Sequence, residues 1–182
     1  MKTNPKKKTA LLICVFVFSM ALSETLARNS QVSAITYNVA AADLWGFFEA
    51  KTIRSTIVAT AAEQALWQAE RMADINAKSR LIKANGDLKK LEASLSDDPQ
   101  SNEGSKQLAV RAAEVERNRA ISLARYHRYE LASVAFQAGV VLAFAEILTG
   151  LTAIGWLSGF AGIFGFALLA LASFAPQALH LS

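Results

Sequence analysis

The stretch LASVAFQAGVVLAFAEIL at positions 131–148, followed after Thr149 and Gly150 by LTAIGWLSGFAGIFGFALLALASF at 151–174, decides the architecture of this chain. Each segment has about the length that a helix rising 1.5 Å per residue needs to cross roughly 30 Å of hydrocarbon. The second carries no ionisable residue. A soluble core helix is apolar along one stripe, whereas these segments are apolar around their whole circumference. A chain of 182 residues has no interior large enough to bury them. The pattern predicts an all-α membrane protein in which residues 131–174 form a transmembrane helical hairpin, with a short tail at 175–182.

Working back from the hairpin, the composition is segregated: 53% apolar and 19% charged residues occupy different stretches. That segregation is the membrane signature. The net charge of +4 comes largely from Lys2, Lys6, Lys7 and Lys8, ahead of any acid. Further along, each basic run has Glu or Asp within a few positions, so no basic face for nucleic acid is expected. The single cysteine, Cys14, excludes a disulfide within the chain. Ile13 before it stands where a lipoprotein signal needs a small residue, so lipidation there is not expected.

Residues 1–27 join the lysines to the apolar run Ala10–Leu22, which reads either as a cleaved signal peptide or as an uncleaved anchor. The anchor is favoured. No Pro or Gly follows Ala27 until Gly46, so the helix can continue from Thr9 through Leu26 and reach spanning length. Glu24 then sits at the interface, where its charge costs little.

Residues 28–130 read as an extramembrane helical, coiled-coil region interrupted by a loop at 96–104, where Pro99 and Gly104 lie among Ser, Asp and Asn. Before the loop, Met72, Ile75, Ile82, Leu88, Leu91 and Leu95 suggest a narrow seam. Trp45, Phe47, Phe48 and Trp67 point in several directions and suit packing between helices or the bilayer surface. After the loop, Leu108, Val115, Ser122 and Tyr129 recur every seven residues, with Ala112 and Arg119 between them. No breaker separates this helix from Leu131, so it is expected to enter the membrane unbroken, with Arg125, His127 and Arg128 at headgroup level.

Length constrains this region further. A straight helix from Asn29 to Leu95 would span about 100 Å, whereas the return from Lys106 to Glu130 covers about 38 Å. Both ends must reach one membrane, so the outward arm either breaks between about Asn29 and Trp67 and folds back or lies there along the surface, leaving Arg71–Leu95 to pair with Lys106–Glu130. Asn38 to Asp43 is the expected place, with Asp43 as a candidate N-cap.

The stretch Asp43-Leu44-Trp45-Gly46-Phe47-Phe48-Glu49-Ala50-Lys51-Thr52-Ile53-Arg54 resembles the D-x-W-x-F/Y-F/Y-x-A-K-x-I-K/R motif of an uncharacterised bacterial family, the domain-of-unknown-function family four-three-three-seven. The order of parts and Gln137 in the penultimate apolar helix are similar too. The lysine-rich start and Glu146 depart from the family pattern. The resemblance implies membrane architecture and no activity.

Chemistry is sparse. The two histidines, His127 and His180, stand at opposite ends of the hairpin, so no metal site is expected. No nucleophile has a base partner and no phosphate loop occurs. Neither enzymatic activity nor a cofactor is expected. Four features carry the remaining hypotheses. Trp45, Phe48, Lys51 and Arg54 form a candidate contact for lipid headgroups or a partner. Gly155, Gly159 and Gly162, with Ser158, form small-xxx-small pairs for helix packing, between copies or within the chain. Gln137 and Glu146 are the candidate intramembrane polar residues, about 180° apart on an ideal helix. The lysine cluster predicts a cytoplasmic N-terminus, with residues 28–130 periplasmic and three spans in a bacterial inner membrane. The expected role is a scaffold or interaction protein whose partners are the bilayer and, through the coiled coil, another protein or a second copy. The alternative is a small oligomeric channel or transport-accessory subunit.

Overall fold

A computed structural model describes residues 5–174 of the chain. Lys2 and His180 lie outside the described residues. Among the described residues there are four helices and no strand: α1 (Pro5–Arg71), α2 (Ile75–Ser96), α3 (Ser105–Thr149) and α4 (Thr152–Phe174). Three of them, α1, α3 and α4, are long and apolar enough to cross a membrane, α1 through its N-terminal part. The chain divides into two compact units, one built from residues up to Thr36 with those from Asn118 onward, the other from Tyr37–Arg117.

The expected break at Asn38–Asp43 does not occur. α1 is continuous through these residues, and Asp43 lies exposed in its middle. The reversal comes instead at Met72-Ala73-Asp74, where Asp74 takes extended backbone angles and its Oδ1 accepts from Asn76 N at 2.9 Å. An N-cap of this kind satisfies a backbone donor that the new helix cannot. α2 and α3 have 22 and 45 residues, against the 67 of α1.

The buried positions of α1 repeat every seven residues. Ala27, Ala34, Ala41, Ala62 and Ala69 are buried, and Phe48 and Ser55, which complete the series, are half-buried. On α3, Leu108, Ser122 and Tyr129 are buried and Val115 half-buried, with Ala112 fully enclosed beside them. On α2 the inward residues are Leu81, Asn85, Leu88, Glu92 and Leu95, whereas Ile75, Ile82 and Leu91 of the expected seam are exposed. Asn85 sets this register, because its Nδ2 donates to Ala62 O on α1 at 2.6 Å. A buried amide needs such a partner, and the rest of α2 turns to supply it.

Between α2 and α3 the loop is fixed by two carboxylates. Asp98 accepts from the backbone of Gln100 and Ser101 and, at 2.6 Å, from the Ser101 hydroxyl. Asp97 accepts from Gln107 Nε2 at 2.6 Å and from Lys106 Nζ at 3.2 Å. These donors hold both carboxyls below their ordinary value, Asp97 chiefly through Gln107 and Asp98 chiefly through the Ser101 hydroxyl. At the other turn, Gly150 adopts φ +72°, the left-handed conformation that ends α3 without a Cβ penalty, and its N–H bonds Glu146 O at 2.8 Å.

In the unit containing the hairpin, α1 packs with α3 and α4. Phe16, Ala132 and Phe136 form one buried cluster, and Ala27, Tyr129 and Ala172 another. The outward faces stay apolar, with Phe18, Val141, Phe160 and Ile163 among the exposed side chains. Water would penalise such a surface, whereas hydrocarbon solvates it.

Candidate functional site

Within Tyr37–Arg117, Trp45, Phe48 and Lys51 lie on consecutive turns of α1. The rings of Trp45 and Phe48 meet edge to face at 5.4 Å. The Trp45 indole N–H donates to Glu116 Oε1 on α3 at 3.0 Å. Lys51 Nζ stands 3.9 Å from Glu103 Oε2. A cavity beside them is lined by Leu44, Phe47, Lys51, Glu103, Leu108 and Arg111. The aromatic donor and the lysine therefore face acids of the same chain, which is helix packing with polar edges rather than an open anion site. Arg54 stands apart from this group, in a groove with Ile57, Val58, Leu91 and Leu95.

In the hairpin unit the glycines of α4 are places of close approach. A Cβ on Gly155 would lie 2.6 Å from the Glu146 carboxyl carbon on α3, and one on Gly165 would lie 2.9 Å from the Phe136 ring. Gly162 receives the Phe16 ring of α1 so closely that a Cβ there would overlap it, and Gly139 of α3 takes the other edge of the same ring. Ser158 Oγ donates to Gly139 O at 2.8 Å. Gly159 differs, since nothing stands within 4 Å of the position of its Cβ. It borders an apolar cavity of about 500 Å³ that is also lined by Lys8, Leu11, Val15 and Phe16. The glycine face thus works within the chain at Gly155, Gly162 and Gly165.

The two intramembrane polar residues are separated. Gln137 is exposed on the outer surface of α3. Glu146 is half-buried where three helices meet: Thr9 Oγ1 of α1 donates to its Oε2 at 3.4 Å, and Gly155 of α4 lies against it. Sequence reasoning missed Thr9 and Gly139. Thr9 could have been found by looking for a hydroxyl on another span to match Glu146. A second crossing pair, Ser133 Oγ donating to Glu24 Oε1 at 3.4 Å, joins α3 to α1. Of the three residues expected at headgroup level, Arg125 and His127 are exposed while Arg128 is buried. No group of three or more His, Cys, Asp or Glu able to hold a metal occurs among the described residues.

The arrangement offers close helix contacts and two half-buried carboxylates, Glu146 and Glu24, each accepting from a hydroxyl on another helix. No curated protein and no solved structure matches the chain. A family model does match, the domain of unknown function DUF4337, over residues 6–175. That match covers nearly the whole chain and agrees with the motif at Asp43–Arg54, so the chain belongs to the DUF4337 family.

Proposed function

We propose that the chain is a non-enzymatic, membrane-anchored helical scaffold, in which three spans hold a coiled-coil segment that docks another protein or a second copy. The observation that supports this reading is the seven-residue repeat of buried alanines along α1, completed by half-buried Phe48 and Ser55, with a seven-residue repeat on α3 as well. A seam of that kind commits helix surface to helix partners and leaves the opposite faces for further contacts. The membrane in this reading is a bacterial inner membrane, with the N-terminus cytoplasmic and residues 28–130 periplasmic.

A channel or transport-accessory role is favoured by one observation, the Glu146 carboxylate set among α1, α3 and α4. Intramembrane carboxylates commonly serve ion or proton pathways, yet one so close to the end of its span can reach the interface. Ion flux in liposomes carrying the purified full chain separates the two. The scaffold reading expects flux no greater than in empty liposomes. Flux that disappears in Glu146→Gln overturns it.

A further inference from the structure

On the side of α1 facing away from its buried seam, Ala50, Ile53, Ile57, Thr60, Gln64 and Trp67 are all exposed and all uncharged. Their spacing alternates three and four, which is a second heptad seam on the same helix. Chance exposure is a poor account of it. Glu49, Lys51, Arg54 and Glu63 occur in the same turns, and none falls on this stripe. Ile53, Ile57 and Trp67 are 53%, 63% and 66% exposed, in a region outside the three apolar spans. The Thr60 hydroxyl is already bonded to Thr56 O at 2.9 Å, so it needs no polar partner from outside the helix. Gly46 continues the stripe one turn earlier, and Asp43 ends it.

We infer that this face of α1 pairs, parallel and in register, with the same face of a second copy of the chain. The inference rests on the scaffold reading and names its partner. Two arguments choose a copy over another protein. First, α1 carries an apolar span at its own N-terminal end, so two copies in one bilayer present their α1 helices in the same direction. Each heptad position then meets itself. Second, Glu49 and Arg54 flank the stripe on opposite sides, five residues apart. In a parallel seam that is the separation at which one helix's residue faces the other's. Glu49 of each copy therefore meets Arg54 of its mate, twice by symmetry, and the pairs fix partner and orientation. Neither residue makes an ion pair among the described residues. Ile57 and Gln64 would occupy the positions where β-branched and polar residues favour two-stranded, in-register pairing.

The test uses the full chain in native membranes with Cys14→Ser, which removes the one natural thiol. Single cysteines at Ile53 and Thr60 should form disulfide-linked dimers on mild oxidation, while a cysteine at Ser55, on the buried seam, should not. Arg54→Glu should lower the dimer yield of the Ile53 cysteine about threefold, because it sets like charges against each other at both symmetric sites. Adding Glu49→Arg should restore it. No dimer at Ile53 or Thr60 in protein that keeps its helicity overturns the inference. So do equal yields at Ser55, adducts to a different protein, or a charge swap without rescue. Liposome flux is read separately: flux with crosslinks keeps the dimer and sinks the scaffold, whereas neither flux nor crosslinks sinks the dimer alone.

Discussion

The side-chain amide of Asn85 on α2 donates to the main-chain carbonyl of Ala62 on α1 at 2.6 Å, on a face of α2 that also turns Leu81 and Leu88 inward. One buried polar residue in an apolar seam selects a register, since any slip of the helix leaves the amide without a partner. Asn85→Ala should lower stability by about 1 kcal/mol, the size of one net hydrogen bond. Asn85→Leu should keep or raise the melting temperature while loosening the choice of register. Amide exchange across Leu81–Leu95 reads both effects, and unchanged protection in Asn85→Leu would show that Asn85 does not set the pairing.

Much of the fold was legible in the sequence because its signals are strong in one dimension. The hairpin is marked by length and uniform apolarity, the loop by Pro99 and Gly104, and the α3 seam by Leu108, Ser122 and Tyr129. The break after Arg71 was not legible, because Met72-Ala73-Asp74 contains neither Pro nor Gly and Asp74 is one of several possible caps. The seam of α1 was hidden for a different reason. Its inward residues are mostly alanines, which are common everywhere and stand out only once burial is seen. On α2, isoleucines at 75 and 82 outweighed Leu81 on hydrophobicity alone, and only the Asn85 bond to Ala62 reverses the choice. The candidate site was legible as residue types but not as pairs, since Trp45 with Glu116, Lys51 with Glu103, and Glu146 with Thr9 and Gly155 all join distant parts of the chain.

The glycines of α4 should respond unequally to the smallest side chain. Gly162→Ala drives a methyl group into the Phe16 ring, whereas Gly159→Ala meets open space. Overpacking of a tight contact typically costs about 1–3 kcal/mol. Thermal unfolding in detergent should therefore show a clear loss for Gly162→Ala and little change for Gly159→Ala. Phe16→Leu combined with Gly162→Ala should recover part of the loss. Equal melting temperatures for the two single variants would mean that Phe16 does not seat on Gly162.

The loop after α2 should loosen in acid. Asp97 and Asp98 have carboxyls held below their ordinary value of 3.8 by the bonds they accept. A carboxyl lowered in the folded state contributes stability that is present above its unfolded value and disappears as pH falls through the folded one. The Gln100 and Ser101 amides should keep their protection at neutral pH and lose it progressively below about pH 4, the unfolded value of an aspartate. In Asp98→Asn, which cannot titrate, that acid-induced change should vanish from the Ser101 amide. Loss of protection at the same pH in Asp98→Asn would place its cause elsewhere.

The proposed direction of insertion rests on where positive charge lies next to the first span. Lys7 and Lys8 are exposed at the start of α1, and Lys2 and Lys6 stand just before them in the sequence. Translocation of such a cluster is disfavoured, so the proposed orientation keeps the N-terminus in the cytoplasm. Arg28, Arg125 and Arg128 oppose this, being placed at the other end of the spans. A long segment crosses largely regardless of its charge, however, so the four lysines beside the first span outweigh them. Three spans then put the turn at Thr149–Leu151 on the same side as the lysines. The contact of Thr9 with Glu146 agrees, since both residues lie near that end of their helices. Alkaline phosphatase joined after Asp97 should be active, and the same enzyme joined after Gly150 should be inactive. An inactive fusion at Asp97, together with a fluorescent cytoplasmic reporter at that site, would invert the topology and place residues 28–130 in the cytoplasm.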